Sequence, residues 1–158
     1  MYKKGFTLIE TIIVIGILSV LIVLVAPSLL NLRSNTSINT TLDTVVTDLK
    51  SQQIKAMSGD TEGRGIPDNY SIYIQPSSYI LFHGINYSQS DTSNISIPIE
   101  TQYQLSTTFP SNKITFASGS GEIVGFLNGQ NTITIREVGK SNQKVIILNK
   151  YGTITQFN

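Results

Sequence analysis

The N-terminal stretch, residues 1–30 (MYKKGFTLIETIIVIGILSVLIVLVAPSLL), decides how the rest of the chain is interpreted. In residues 6–32, Ile, Leu and Val dominate, and Glu10 is the one charged residue. About 20 apolar helical residues cross the hydrocarbon core of a bilayer, so this run is predicted to be a transmembrane helix. Lys3 and Lys4 precede it, which predicts a cytoplasmic N-terminus and a C-terminal domain on the far side of the membrane.

Three interpretations of this segment compete. A secretory signal has an apolar core of about 7–15 residues and a small-x-small cleavage site, so the observed run is too long. A plain single-pass anchor fits the length but gives no reason for Gly5 or Glu10. The third interpretation is a short leader cut between Gly5 and Phe6. The cut creates an α-amine, which is cationic at neutral pH, four residues before the carboxylate of Glu10.

The stretch KKGFTLIE resembles the class III leader of type IV prepilins and pseudopilins. The resemblance implies that a membrane prepilin peptidase cuts after Gly5 and methylates the new amine of Phe6. It implies that Glu10 docks one subunit onto the next. It also extends to Gly16 and Pro27, where the family's helix often bends, as a helix-interior proline would cause.

The following residues, 33–58, predict an amphipathic continuation of the helix. Its apolar side chains recur at spacings of three, four and seven, which places them on one stripe. We expect this stripe to pack on a β-sheet. The stripe consists of Ile38, Leu42, Val45, Leu49 and Ala56. A glycine-rich loop, SGDTEGRGIPDN, then ends the helix.

The C-terminal half reads as strands. YSIYIQ and SYILFH predict a hairpin, and ISIPIETQYQL predicts a broken strand whose Pro98 favours a sheet edge. Further strands are predicted in NKITFAS, GEIVGFLN, NTITIREV and KVIILNKYGTITQF. The predicted fold class is α+β: a long N-terminal helix, transmembrane in its first half and amphipathic in its second, packed on a C-terminal antiparallel β-sheet domain. This layout is that of the pilin fold.

The predicted divisions are a leader (1–5), a transmembrane and filament-core helix (6–32), an amphipathic helix (33–58) and a β-rich globular domain (59–158). In the last of these, ITFASGSGEIVGF, NTITI and KVIILNKYGTITQ are similar to the GspH/FimT-type minor pseudopilin domain. The chain has no cysteine, so the C-terminal disulfide that closes a loop in many major pilins is excluded, which favours a minor component.

Few residues suggest chemistry. Asp60, Glu62 and Asp68 form a small acidic group, but their spacing lacks the pattern of a calcium-binding loop. The GSG of residues 119–121 leads into a strand and not into a helix, so it does not predict a phosphate site. His83, the one histidine, has no evident Ser or Asp companion in the sequence. We therefore expect no catalytic residue, no cofactor and no metal site.

The function predicted from these features is that of a minor pilin or pseudopilin in a type IV pilus, a type II secretion pseudopilus or a competence filament. The expected partners are prepilin peptidase, other pilin subunits and, before assembly, membrane lipid. The subunit is expected in the inner membrane and then in an envelope filament. The alternative is a DNA receptor at a filament tip, for which Arg136, Lys140 and Lys144 would have to gather near one hairpin.

Overall fold

A computed structural model of the chain describes residues 7–157, apart from the side chains of residues 23–37 and 156–157. It divides into two compact units, residues 1–37 and residues 38–158, and each unit is described by itself. Within residues 7–157, one long helix and eight strands make up most of the regular structure. They are α1 (Leu8–Ser58), β1 (Tyr70–Gln75), β2 (Ser78–His83), β3 (Ile95–Pro98), β4 (Tyr103–Thr107), β5 (Lys113–Phe116), β6 (Thr132–Glu137), β7 (Gln143–Leu148) and β8 (Ile154–Phe157), with a short 3-10 helix at Pro110–Asn112.

The second half of α1 is amphipathic, as predicted. The stripe residues Ile38, Val45, Leu49 and Ala56 are each at most 2% exposed, because their spacing puts them on the face turned to the sheets. The helix ends at Ser58, immediately before the predicted glycine-rich loop.

The first sheet has the order β3-β2-β1-β5, and all its pairs are antiparallel. The predicted hairpin is confirmed: β1 pairs with β2 from Tyr70↔His83 to Gln75↔Ser78. Pro98 ends β3, which is an edge strand, and the prediction from its missing N–H group is confirmed.

The second sheet has the order β4-β6-β7-β8 and is also antiparallel throughout. Antiparallel pairing and the α+β class therefore agree with the prediction, whereas the division into two four-stranded sheets was not predicted. The sequence stretch ISIPIETQYQL explains part of the division, since β3 before the break joins the first sheet and β4 after it joins the second.

One predicted strand, GEIVGFLN, does not form. It contributes a single isolated bridge between Phe116 and Ile123, with Ala117 N–H donating to Glu122 O and Val124 N–H donating to Thr115 O. Gly125 follows with φ of 66°, in the left-handed region that a strand cannot use. The pairing begun beside β5 stops there, so the prediction of a strand was wrong.

A single hydrophobic core joins the two sheets to the second half of α1. Its members come from α1, from the first sheet and from the second sheet, among them Leu49, Ile72 and Ile135. Tyr79 of β2 adds a polar link, because its buried ring reaches α1 and its hydroxyl donates to Asp48 Oδ2 at 2.5 Å. Burial, followed by this hydrogen bond, raises the pKa of Tyr79.

Candidate functional site

The helix α1 begins in a reciprocal capping arrangement between Thr7 and Glu10. The backbone N–H and the hydroxyl of Thr7 each donate to Glu10 Oε2 at 2.9 Å, and the backbone N–H of Glu10 donates to Thr7 Oγ1 at 3.3 Å. This is a capping box, which satisfies N–H groups that the first helical turn would otherwise leave unpaired. Glu10 thus has a polar partner within its own chain.

The capping box was not predicted from the sequence, which indicated for Glu10 an amine partner and a role in subunit docking. The signal was present, since Thr-x-x-Glu directly before an apolar run is the pattern of a capped helix start. To predict the capping box, one must know at which residue α1 begins, and a long apolar run does not mark that residue.

The side chains after the cap form a broad apolar surface. Those from Leu8 to Ile22 that are large and apolar are between 51% and 79% exposed. Soluble monomers rarely expose so large a contiguous apolar area, and such an area marks contact with lipid or with other proteins. In the part of the chain that the structure describes, no helix is long and apolar enough to cross a membrane. The predicted span, residues 6–32, includes Phe6 and the side chains of residues 23–32, which lie outside that part.

Other predicted residues of the motif also fall outside the described part. They are Gly5, Phe6 and the side chain of Pro27, so cleavage, methylation and the predicted bend stay predictions. Gly16 lies within α1, and a Cβ built there would meet no atom within 4 Å.

The acidic loop does not assemble a cation site. Asp60 Oδ1 accepts a hydrogen bond from the backbone of Glu62, whose own carboxylate lies between Lys55 Nζ at 2.6 Å and Arg64 Nη1 at 3.0 Å. The hydrogen bond from Lys55 lowers the pKa of Glu62. Asp68 faces His83 instead. Among the described residues, no group of three metal-ligating side chains converges.

In the folded chain His83 has polar companions that are not evident from the sequence. Its Nε2 lies 2.8 Å from Ser93 Oγ and 3.5 Å from Asp91 Oδ2, and its Nδ1 lies 3.5 Å from Asp68 Oδ2. The loops before β1 and before β3 bring these residues to the end of β2, a proximity that the sequence spacing does not reveal. Ser93 donates its hydroxyl hydrogen to Asp91 Oδ1 at 2.7 Å. This differs from a serine nucleophile, whose proton is directed to the histidine.

A cavity of about 10 Å³ lies beside His83 and Ser93. That volume holds about one water molecule. Gln52 also lines it, and its buried Oε1 has no hydrogen-bond partner in the described part of the chain. The arrangement links two loops to the end of β2.

The basic residues of the β6–β7 hairpin do not gather. Lys140 Nζ pairs with Glu137 Oε1 at 2.5 Å. In the strand register, Arg136 of β6 lies opposite Gln143 of β7. Lys144 lies opposite Ile135, the residue before Arg136. Since successive side chains of a strand point to opposite faces, Arg136 and Lys144 lie on opposite faces of the second sheet. The cluster of three cations that the DNA-receptor alternative requires therefore does not form at this hairpin.

Comparison with known proteins adds evidence at the N-terminus alone. Residues 1–26 match the family model of the prokaryotic N-terminal methylation motif. No curated protein and no solved structure matches the chain. The motif favours a structural subunit over an enzyme, and it implies membrane anchoring followed by assembly with other pilins in an envelope filament. The match and the capped, exposed apolar helix start together indicate a type IV pilin-like protein that prepilin peptidase processes.

Proposed function

We propose that the chain is a minor pilin or pseudopilin that helps to start, cap or tune a type IV pilus, a secretion pseudopilus or a competence filament. It inserts in the inner membrane as a single-pass protein with its N-terminus in the cytoplasm. Prepilin peptidase cuts it between Gly5 and Phe6 and methylates Phe6. The globular unit, which is α+β with antiparallel sheets, then faces away from the cytoplasm.

The observation that carries this proposal is a capped carboxylate at the head of an exposed apolar helix. Glu10 is the one charged residue of residues 6–32, and its carboxylate accepts hydrogen bonds from Thr7. An ionisable group in a lipid-facing segment calls for a partner and marks a functional site. Before assembly, Thr7 supplies that partner within the chain.

In the filament, Glu10 receives a stronger partner, the cationic amine of Phe6 on an adjacent subunit. Thr7 offers the carboxylate only uncharged donors, whereas the amine carries a full positive charge, so a Coulomb attraction that is strong in a medium of low dielectric constant is added. A subunit displaced by one helical turn leaves both charges unpaired in a medium of low dielectric constant, which is costly. The pair therefore sets the axial register of the subunits.

The proposal is tested by the Glu10→Leu variant in cells that assemble the filament. Insertion and cleavage after Gly5 should be unchanged, whereas the fraction of tagged protein in sheared filaments should fall at least tenfold. Glu10→Asp should be intermediate, because the carboxylate remains but its reach is shortened by one methylene. Glu122→Gln, which changes a carboxylate paired with Lys150 in the globular unit, is the matched control. Equal incorporation of Glu10→Leu and the wild type refutes the docking role.

A further inference from the structure

The outer face of the second sheet, opposite the core, carries a polar depression around Arg136. Gln104, Arg136 and Gln143 lie side by side across β4, β6 and β7, in direct register. The depression has a volume of about 230 Å³. We call it the Arg136 depression, and it is lined by Gln104, Leu105, Ser106, Thr134, Arg136 and Gln143.

Arg136 is exposed, and its guanidinium has no hydrogen-bonded or ion-paired partner in the described part of the chain. Most other cations of the globular unit are occupied: Lys55, Arg64, Lys140 and Lys150 each pair with a carboxylate. Lys50, Lys113 and Lys144 have no carboxylate partner among the described residues, but none of them lines the depression. A planar guanidinium flanked by two carboxamides is suited to a carboxylate, which it can bind through two parallel hydrogen bonds.

The same unit presents an unpaired carboxylate on a different surface. Asp43 lies on the exposed side of α1, and its carboxylate has no partner among the described residues. The exposed residues beside it are threonines, and the hydroxyls of Thr44 and Thr47 donate to carbonyls of their own helix. Asp43 is the one charged residue of this Asp43 ridge, residues 40–47, and the hydroxyls of Thr44 and Thr47 in it are already satisfied.

We propose that Arg136 of one copy of the chain binds Asp43 of a second copy, with the Asp43 ridge seated in the Arg136 depression. The inference rests on the proposed function, and it requires that at least two copies of the subunit lie next to each other in the filament. The two surfaces are complementary in charge, and they are different surfaces of one chain. Contacts between different surfaces repeat head to tail and produce open filaments unless the rotation closes into a ring.

Chemical crosslinking of the full chain tests whether the two surfaces meet. The natural chain contains no cysteine, so each introduced thiol is unique. Copies carrying Arg136→Cys and copies carrying Asp43→Cys, with different tags, are expressed together, and sheared filaments are treated with a short bismaleimide. We expect a dimer that carries both tags. Lys144→Cys paired with Asp43→Cys is the control, because residue 144 lies on the opposite face of the same sheet, and its yield should be at least fivefold lower. Equal yields, or no dimer with either pair, overturn the proposal.

Charge exchange tests whether the contact matters. Arg136→Asp alone and Asp43→Arg alone each place like charges opposite one another, so incorporation into filaments should fall at least fivefold. Expressing the two variants together should restore it, because the altered surface of one variant then meets the oppositely charged altered surface of the other, and the two unaltered surfaces likewise meet. Misfolding does not predict this rescue. If the wild type enters filaments and neither single variant is impaired, or if the pair fails to rescue, the contact is wrong. If the wild type itself does not enter filaments, the proposed function fails, and the contact fails with it.

Discussion

Replacing Tyr79 by Phe should loosen α1 from the first sheet. The Tyr79 ring is 1% exposed, and its hydroxyl donates to Asp48 Oδ2 at 2.5 Å. A hydrogen bond to a charged group contributes about 1.5–3 kcal/mol net. Asp48 is only half-buried, so water replaces part of the lost interaction, and we expect a loss of about 2 kcal/mol in the free energy of unfolding.

The assay is urea unfolding of residues 33–158, followed by circular dichroism. Tyr151→Phe is the matched control, since that ring is 62% exposed, and it should change the free energy of unfolding by less than about 0.5 kcal/mol. A change of less than about 0.5 kcal/mol for Tyr79→Phe would show that this link contributes nothing to helix–sheet packing.

The pH dependence of the same variant gives a second readout. Burial raises the pKa of Tyr79 above 10.0, the ordinary value for a tyrosine. Its contribution is therefore fully present below pH 10 and is lost as the pH rises further, because the unfolded chain releases the proton first. The wild type should lose more stability between about pH 10 and 11 than Tyr79→Phe does. Parallel profiles refute the reasoning.

Three further predictions concern the globular unit. Residues 33–158 should be soluble, with helix and sheet in the circular dichroism spectrum; aggregation in every buffer, or a spectrum without sheet, contradicts this. Gly152→Ala should lower the free energy of unfolding, measured by urea titration, by about 2–3 kcal/mol. Residue 152 has φ of 69°, and the new Cβ would meet Gln53 Nε2, which must move. An unchanged urea midpoint of unfolding refutes this prediction. The lowered pKa of Glu62 means that its stabilising contribution is present above pH 4.5 and is lost as the pH falls. Glu62→Gln should therefore flatten the acid limb of a stability profile, and an unaltered limb contradicts this.

Much of the fold could be predicted because its signals are local. The stripe of α1 follows from helical spacing, the β1–β2 hairpin from two β-rich runs, and the edge position of β3 from Pro98. The division into two sheets depends on which distant strands pair, and that is not written in any one segment. GEIVGFLN was wrongly predicted to be a strand because its apolar residues are typical of one, whereas Gly125 adopts a left-handed turn conformation.

The residues of the candidate site also fall into those that a contiguous motif identifies and those that only the folded chain brings together. Gly5, Phe6 and Glu10 belong to a contiguous motif, so the sequence alone is enough to propose their roles. The companions of His83 come from loops that lie about ten and fifteen residues away in opposite directions, so only the folded chain shows them. Arg136 and Lys144 lie on opposite faces of the sheet because side chains alternate along a strand and because of the register between β6 and β7. The sequence does not reveal that register.

The central claim is that this chain is cut by prepilin peptidase and assembled. The most direct test is N-terminal sequencing together with the intact mass of the protein recovered from sheared filaments of cells that contain the peptidase. The account predicts a chain that has lost residues 1–5 and begins at Phe6 with a methylated amine. Gly5→Val should accumulate the longer form in membranes, because a bulky side chain obstructs the scissile bond. Assembled protein that still begins at Met1 would contradict the account.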